Sequence, residues 1–520
     1  MNFHFRVNSN KTVGIGHLIR NLKLAKRVEK EGNNCFFYLD KNFKYLNLLK
    51  NFKFFFLYKK KENFKSQIDD ANKFLKKIKI KKGYVVVDDS RLCLLWEKKI
   101  SKKNFKIIAF EDLENKKHFS DFYINGKPKF YNINNFNSKT ILKKNCKILV
   151  GPKFSIIECK KKKKKYKKKI LKILFYMGGG GDFKNLYNII NNLLKENDNI
   201  KKKFKIIVVI GPFLINKKLI YSLSYKYRKI QIIRNKYNID NIIKEADLVV
   251  GTAGNIIYET AYYKIPSLFF QISENQINDA QIMEKLGHYF ILSKKDMLQS
   301  EKVSSLIILM INHYSRIIKF FTKPEIKIDN KGLDRLVNSI KNGKQDNKKF
   351  YYNKNKFNSK NYKIEKVKDK NINDYLKARN LLQNVKSSTK KKKISPLDHY
   401  IWWLNSKRRT YVLKRNGKKL LYFYDELIDL DGINYSIQGW FISTTECTIK
   451  DVFYALSWQK KHLSNKKNID KSLAIFKKKN KLGKYISKYL GWKPIIKDKK
   501  LIADVKGIYK VDDSYLFYFR

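Results

Sequence analysis

Proline and acidic residues are scarce in this chain of 520 residues, which holds 7 prolines and 45 aspartates and glutamates against 115 lysines and arginines. The resulting net charge of +70 would ordinarily suggest a polyanionic partner. The basic residues are spread along the whole chain, however, and Asn, Ile, Phe and Tyr are abundant while glycine numbers only 22. Because an AT-rich coding bias produces the same composition, we expect no specific nucleic-acid partner.

Paired cysteines and long apolar runs are also missing. The five cysteines form no CxxC pair and no His/Cys spacing, which argues against a zinc site or a disulfide framework and fits a reducing compartment. No run of 18 apolar residues occurs, and the chain opens with the strand-like "MNFHFRV". We therefore expect no bound metal, no membrane span, no secretory leader and a cytoplasmic location.

The order of apolar runs indicates three folded parts, as the length suggests. Short strand-like runs alternate with helix-length segments through residues 1–158 and again through 170–340, which predicts two Rossmann-type domains with parallel sheets. A solvated lysine tract at 160–169 separates them. The polar stretch 341–362 is typical of a linker, and residues 363–520 form a smaller α+β unit.

The stretch "VGIGHLIRNLKLAKRV" places Gly14, Gly16 and His17 between a predicted strand and an amphipathic helix. Open α/β sheets bind ligands at such turns, and a loop free of side chains allows an anion to approach the backbone. From this pattern alone, His17 is either a helix-packing histidine or a functional one.

Two further glycine loops follow predicted strands. The first contains Gly179 and Gly180, and its alternatives are a backbone approached by ligand or a hinge. The second ends at Gly254 and leads into a helix that carries Glu259, which either accepts hydrogen bonds from a ribose diol or is a solvated helix residue. Downstream, "SENQINDA" contains Asn275 and Gln276, which can cap a helix or hydrogen-bond a sugar.

Taken in order, "FRVNSNKTVGIGHLIRNLKLA", "VVVDD", "AFEDLENKKHFSDFYIN", "GPKFSII", "YMGGGGDFKNL", "EADLVVGTAGNIIYETAYYKIPSL" and "ENQINDA" resemble the UDP-2,4-diacetamido-2,4,6-trideoxy-β-L-altropyranose hydrolases of pseudaminic acid biosynthesis. The resemblance covers about residues 1–340. That family is similar to the GT-B glycosyltransferases, in which a cleft separates two Rossmann-like domains.

The resemblance implies that His17 activates a water molecule, which attacks the anomeric carbon with inversion and releases UDP without a metal or a cofactor. It also implies that Glu259 holds the uridine ribose and that Asn275 lies near the reaction centre. We expect the remaining substrate contacts from the glycine loops and from two polar side chains, namely Gly14, Gly16, Gly179, Gly180, Gly254, Arg20 and Gln276.

Two departures from the family pattern are present. Asn8 stands where the family has an acid after the first strand, and "GPKFSIIE" lacks an arginine that is often found there. The substrate can therefore be a related UDP-sugar. A GT-B glycosyltransferase with the same UDP site is the alternative to hydrolysis. A further alternative is binding to nucleic acid or to a membrane surface through the basic charge, and peripheral membrane contact stays open, as does the oligomeric state.

Residues 363–520 weakly resemble a GNAT-type N-acetyltransferase, through "ISPLDHYIWW", "RTYVLKRNGKKLLYFYDELI" and "KKKNKLGKYISKYLGWKP". The [RQ]xxGx[GA] loop that binds the pyrophosphate of acetyl-CoA is absent, because "TTECTIKDVFYALSWQKK" stands in its place. We therefore expect a degenerate GNAT-like domain, with acetyl-CoA as a cofactor only if the domain is active. An active domain would make the chain a bifunctional hydrolase and N-acetyltransferase, which is the second alternative function. His399 is expected to pack beside tryptophans, and His118 matches a family position without an inferable role.

Overall fold

The computed structural model divides into two compact units, residues 1–351 and 352–520. It describes residues 1–9, 14–40, 46–59, 61–79, 82–113, 115–160, 170–196, 198–234, 238–321, 323–342, 362–388, 392–464, 466 and 469–519. Most of the predicted lysine tract and of the predicted linker lies outside these residues. In the part of the chain that is described, no helix is long and apolar enough to cross a bilayer.

A seven-stranded parallel sheet forms the first half of the first unit, in the order β3-β2-β1-β4-β5-β6-β7. Its strands are β1 (Asn2–Val7), β2 (Asn34–Leu39), β3 (Lys53–Phe56), β4 (Gly83–Asp88), β5 (Phe105–Phe110), β6 (Phe122–Asn125) and β7 (Lys147–Val150). Its helices are α1 (Gly16–Glu29), α2 (Gln67–Lys77) and α3 (Leu94–Ser101). Helix α1 buries its apolar stripe, which includes Leu18, Leu22 and Val28, as its sequence periodicity predicts.

A six-stranded parallel sheet forms the second half, in the order β12-β10-β8-β13-β14-β15. Its strands are β8 (Leu171–Tyr176), β10 (Phe204–Ile210), β12 (Ile230–Arg234), β13 (Leu248–Thr252), β14 (Ser267–Gln271) and β15 (Phe290–Ser293), with β9 (Gly180–Asp182) and β11 (Phe213–Ile215) paired beside them. Its helices are α4 (Lys184–Leu194), α5 (Asp198–Lys201), α6 (Lys217–Lys226), α7 (Asp240–Glu245), α8 (Ile256–Tyr263), α9 (Ala280–Lys285), α10 (Lys294–Met297), α11 (Ser300–Asn312) and α12 (Tyr314–Phe321).

Both sheets reverse their strand order at one internal point, between β1 and β4 in the first sheet and between β8 and β13 in the second. In open α/β sheets, ligands bind outside the carboxyl ends of the strands at such a switch point. The loops that carry the predicted glycine motifs leave β1, β8 and β13, so they all lie at these two points.

The last helix of the first unit, α13 (Gly332–Asn342), returns to the first half. Its side chains Leu333, Leu336, Val337 and Ile340 belong to the same apolar core as β1 and α1. On the surface, Arg27 of α1 donates from Nε to Asp334 over 2.8 Å. The end of the predicted domain 170–340 thus packs in the core of the other half.

The second unit has a seven-stranded mixed sheet in the order β16-β17-β18-β19-β20-β22-β21. Its strands are β16 (Tyr362–Lys366), β17 (Arg409–Arg415), β18 (Lys418–Leu430), β19 (Ile433–Ile442), β20 (Lys471–Lys477), β21 (Lys493–Pro494) and β22 (Tyr515–Phe519). Its helices are α14 (Ile372–Arg379), α15 (Leu382–Ser387), α16 (Pro396–Asn405), α17 (Ile449–Ser464), α18 (Lys481–Tyr489) and α19 (Lys499–Tyr509). Neighbouring strands are antiparallel except β19 and β20, which are parallel. The predicted fold class, two Rossmann-type domains and a smaller α+β domain, is confirmed.

We expect Gly332→Ala to destabilise the first unit, because a Cβ at Gly332 would lie 2.1 Å from the carbonyl oxygen of Ser155. Backbone has to move to accept it, and overpacking of this kind costs about 2 kcal/mol. Calorimetry of the full chain should show a lowered melting transition. Gly126→Ala is the matched control, since a Cβ there meets nothing within 4 Å. Equal melting of the two variants would contradict the close packing of α13.

Candidate functional site

Three neighbouring strands of the first sheet each bring one titratable side chain to the same edge. His17 stands in the first turn of α1, which follows β1, while Asp88 ends β4 and Asp112 follows β5. Because β1, β4 and β5 are adjacent and parallel, their carboxyl ends lie side by side. The sequence thereby places an imidazole and two carboxylates at one switch point.

The glycines of the GxGH motif shape the turn that presents His17. Gly14 has a φ of +81°, a left-handed conformation that glycine adopts without strain. Ser9, two residues after β1, donates a hydrogen bond from Oγ to the Gly14 carbonyl over 3.0 Å. Gly16 is the first residue of α1, and a Cβ at Gly16 would meet nothing within 4 Å. The backbone at Gly14 and Gly16 therefore stays open to an approaching group.

His17 is held by Asp88. The distance between His17 Nδ1 and Asp88 Oδ1 is 2.5 Å, and the His17 side chain is 15% exposed. The other ring nitrogen, Nε2, lies 3.8 Å from Asp112 Oδ2. When a carboxylate accepts a hydrogen bond from Nδ1–H, the lone pair of Nε2 is available to accept a proton. This is the arrangement of a general base.

Asp88 is also the main partner of Arg20 and Asn21. Arg20 donates from Nε to Asp88 Oδ2 over 2.6 Å and from Nη2 to Oδ1 over 2.5 Å. Asn21 donates from Nδ2 to Asp88 Oδ2 over 2.5 Å. This buried carboxylate therefore has three polar partners on one face of α1, which lock the helix against β4.

Arg20 joins the two carboxylates of the cluster. Its Nη1 donates to Asp112 Oδ1 over 2.8 Å, and its guanidinium lies over the Phe110 ring, 5.0 Å from the centroid. We predicted Arg20 as a substrate contact; the structure directs its donors at Asp88 and Asp112, and its Nη2 also lies 3.2 Å from His17 Nδ1. In this arrangement Arg20 orients both carboxylates around His17, and its contact with substrate stays a prediction.

The charged groups of the cluster shift the pKa values of His17, Asp88 and Asp112. Burial favours the neutral ring, but the carboxylates of Asp88 and Asp112 outweigh it and raise the pKa of His17 above its ordinary value, against an opposing effect of Arg20. Burial likewise opposes ionisation of Asp88, yet Arg20 and His17 hold the pKa of Asp88 well below its usual range. Burial also opposes ionisation of Asp112, but Arg20 and His17 outweigh it and lower the pKa of Asp112.

Asn8, which replaces the acid expected after β1, is buried next to this cluster. Its backbone N–H donates to the Asp88 carbonyl over 3.4 Å. An amide side chain carries no charge at this position, so the negative charge around His17 comes from Asp88 and Asp112.

The glycine loop after β8 lies against the GxGH loop. A Cβ at Gly179 would come within 2.8 Å of Ile15 Cγ2 and 3.0 Å of the Ile15 backbone nitrogen. Only a residue without a side chain fits this approach. The carboxyl edges of the two sheets therefore face each other, and Gly180, the next residue, begins β9 beside that contact.

Glu259 also faces the first half of the unit. Its Oε1 lies 3.8 Å from Nζ of Lys23 on α1, and its side chain is 15% exposed. Burial raises the pKa of Glu259, an effect that Lys23 partly offsets. Glu259 stands in the first turn of α8, directly after the Gly254 loop, where a Cβ at Gly254 would meet nothing within 4 Å. A carboxylate and an open loop thus lie at the second switch point.

Asn275 and Gln276 are not joined to the His17 cluster. The exposed Asn275 accepts a hydrogen bond at Oδ1 from Ser273 Oγ over 2.8 Å. Gln276 accepts at Oε1 from the backbone N–H of Ile272 over 3.3 Å. No hydrogen bond of the described residues connects either side chain to His17, so their predicted roles stay predictions.

A buried histidine supports the loop that carries Asp112. His118 Nδ1 lies 2.7 Å from Glu97 Oε1, and His118 Nε2 lies 3.1 Å from Glu111 Oε2. Glu111 also accepts at Oε1 from the backbone N–H of Leu113 over 2.6 Å. Because Glu111 and Leu113 flank Asp112, the His118 contacts fix the backbone on both sides of that carboxylate.

Asp88 and Asp112 were not among the residues that we predicted for the site. The "VVVDD" and "AFEDL" segments did contain the signal, since each places an acid where a buried strand ends. Knowing that the strands of these segments flank β1 would have pointed to both acids. Among the described residues, no group of three or more His, Cys, Asp or Glu side chains is arranged to hold a metal ion.

Comparison with known sequences gives one family. The glycosyltransferase family 28 C-terminal domain matches residues 173–318, the second half of the first unit. No curated protein matches the chain.

Several solved structures are similar to about two thirds of the chain. Acinetobacter baumannii MurG is 14% identical with a TM-score of 0.46, covering 66% of this chain and 99% of that one. A co-structure of S. aureus MnaA with UDP is 11% identical with a TM-score of 0.43, covering 66% and 96%. The Neisseria meningitidis UDP-GlcNAc 2-epimerase bound to UDP-GlcNAc is 10% identical with a TM-score of 0.41, covering 66% and 100%. The fold class itself follows from the strand order and directions given above.

The His118 cluster predicts a pH-dependent stability. Burial alone would lower the pKa of His118, but Glu111 and Glu97 raise it from 6.5 to about 9. The stabilisation is then complete below pH 6.5 and is lost as the pH rises through 9. It amounts to roughly 3 kcal/mol, at ~1.4 kcal/mol per pKa unit. By calorimetry, the difference in melting temperature between the wild type and His118→Gln should shrink over that interval.

His313→Gln is the control, because His313 at the end of α11 has no carboxylate partner among the residues described. A wild-type advantage that stays constant from pH 6.5 to 9 would rule out a charged His118.

Proposed function

We propose that residues 1–351 form a UDP-sugar-processing enzyme in which His17 is the general base of an inverting displacement at the anomeric carbon. The observation that carries this proposal is the contact of His17 Nδ1 with Asp88 Oδ1 at 2.5 Å, which directs Nε2 as a proton acceptor. Gly179 of the facing half lies against Ile15, two residues before the base, and we place the sugar and the diphosphate at this junction.

The reaction that we infer has one bond made and one broken. A nucleophile O–H gives its proton to His17 Nε2 while its oxygen forms a bond with the anomeric carbon. The bond from that carbon to the phosphate oxygen breaks, and its electron pair leaves with UDP. The imidazolium that results is stabilised by the carboxylates of Asp88 and Asp112, which already raise the pKa of the ring.

The second half of the unit is proposed to bind UDP. The family match over residues 173–318 supports this assignment, as do the open Gly254 loop and the half-buried position of Glu259. We propose that the Glu259 carboxylate accepts hydrogen bonds from the ribose hydroxyls, and that the glycine loops supply backbone N–H groups to the diphosphate.

Transfer to a hydroxyl acceptor is the reaction that we propose first, since the matched family consists of glycosyltransferases. Hydrolysis of a UDP-diacetamido-trideoxy sugar is the second candidate. Two observations favour hydrolysis. The His17 side chain is only 15% exposed, which suits a nucleophile as small as water. The motifs of residues 1–340 also follow the order found in the hydrolase family that they resemble. The two reactions share the UDP site and the base and differ only in the nucleophile.

Product analysis should separate the two reactions. The full chain is incubated with the UDP-diacetamido sugar, with and without a sugar or lipid acceptor, and UDP and the sugar anomer are followed by NMR. Transfer predicts that UDP appears only with acceptor. Hydrolysis predicts UDP and a free sugar of inverted configuration without acceptor. Retention of the anomeric configuration would contradict the single displacement.

If His17 is the base, kcat/KM should rise with pH. A base must be neutral, and the pKa of His17 is raised, so kcat/KM should increase with pH through a value above 6.5. Asp112→Asn removes one of the carboxylates that raise this pKa and should move the rising limb to lower pH. His17→Asn should lower kcat by ~10³-fold.

UDP affinity of His17→Asn, measured by calorimetric titration, should remain close to that of the wild type, since His17 is not placed in the UDP site. Glu259→Ala is the complementary variant and should weaken UDP binding by about tenfold. Full turnover in His17→Asn would remove the proposed base, whereas unchanged UDP binding in Glu259→Ala would remove the proposed ribose contact.

A further inference from the structure

The second unit encloses a cavity of about 330 Å³, which is large enough for a small organic ligand. Its wall includes Arg379, the last residue of α14, and Arg408, which directly precedes β17. No aspartate or glutamate is among the residues that line it, all of which belong to the described part of the chain. Two cationic side chains therefore border a space whose wall contains no acid.

The two guanidinium groups lie over aromatic rings on one face of the sheet. The guanidinium carbon of Arg408 is 3.9 Å from the centroid of the Tyr424 ring. That of Arg379 is 4.9 Å from the centroid of the Phe441 ring. Tyr424 of β18 is paired with Gly439 of β19, and Phe441 lies two residues further along β19, so both rings point to the same face. Residues in this diagonal relation are within reach of each other's long side chains.

The buried phenol of Tyr375 gives a second indication that the two arginines are close together. Its ring centroid lies 4.9 Å from that of Phe441, the ring beneath Arg379. Burial raises the pKa of Tyr375, and the charges of Arg408 and Arg379 both oppose that rise. Both guanidinium groups therefore act on one hydroxyl group.

The positive charge of the pair is only half compensated. Glu426 accepts at Oε2 from Arg408 Nε over 3.2 Å and from Arg408 Nη2 over 2.8 Å. Arg379 is partly buried and has no ion pair or side-chain hydrogen bond with any described residue. Two guanidinium groups and one carboxylate leave one positive charge in excess. A partly buried charge of this kind is favourable when an anion pairs with it.

A single carboxylate fits this charge and this chemistry. A guanidinium group binds a carboxylate through two parallel N–H bonds, and one negative charge balances the excess at Arg379. A phosphate monoester carries nearly two negative charges at neutral pH, of which only one would be balanced. Much of the remaining wall is apolar and includes Trp440, Leu456 and Ile486, which suits an organic body.

We propose that this cavity binds a small organic acid with one carboxylate, which pairs with Arg379 beside the Arg408–Glu426 ion pair. The proposal does not rest on the activity proposed for residues 1–351. It gives residues 362–519 a ligand class, the monocarboxylates, that their sequence did not indicate.

Saturation-transfer NMR on the full chain tests the site. The probes are benzoate, its neutral analogue benzamide and phenyl phosphate, titrated in about 0.15 M salt, which screens the charges of surface lysines. Benzoate should bind more tightly than phenyl phosphate, and benzamide should receive no saturation. Arg379→Gln should weaken benzoate binding about tenfold, because it removes the charge-assisted hydrogen bonds. Lys386→Gln, which removes one positive charge from an exposed position on α15, is the matched control and should bind benzoate as the wild type does.

Arg379→Lys keeps the charge but lacks the planar pair of donors, so its affinity for benzoate should lie between those of the wild type and Arg379→Gln. This variant decides the test if Arg379→Gln does not fold. The proposal is overturned if benzoate does not bind, if benzamide binds as tightly, or if the folded Arg379 variants retain wild-type affinity. An equal loss in Lys386→Gln would show general attraction to a basic protein instead. Tighter binding of phenyl phosphate that depends on Arg379 would make this a phosphate site and would also overturn the proposal.

Discussion

The buried carboxylate of Asp88 is the constraint on which the candidate site depends. It is 1% exposed and accepts from His17, Arg20 and Asn21, which all belong to the first two turns of α1. A buried carboxylate without such donors would be strongly unfavourable, so the helix and the strand are required to keep their register. The same contacts set the tautomer of His17 and the position of Arg20 against Asp112, which ties protonation of the site to the packing of α1.

The strands and helices of the first unit follow closely from the sequence, because parallel sheets that are buried on both faces leave near-continuous apolar runs. "NFHFRV", "CFFYLD" and "GYVVVDD" each correspond to a strand of the first sheet. The position of α13 was not predictable in this way. The apolar stripe of α13 predicts that the helix is buried, but the local sequence does not indicate which sheet it packs against. Its partners Ser155 and Tyr84 are more than 150 residues away in the chain.

The candidate site was predictable in part. His17 and the glycine loops stand out because a turn without side chains is visible locally. Asp88 and Asp112 did not stand out, since an acid at a strand end is common, and only the strand order brings these two together. In the second unit, the pairing of β19 with β20 ends at Gln438 and Ala474, and no sequence motif marks that point.

The return of α13 to the first core has a consequence for how the cleft can open. The chain crosses between the two halves after β7 and crosses back before α13, so the halves are connected twice. A single connection would allow rotation about any axis, whereas two connections side by side permit chiefly a hinge about the line through both. The edge that carries His17 then moves towards or away from the Gly179 loop along one arc, so the substrate that we propose for the second half would meet the imidazole from a fixed direction.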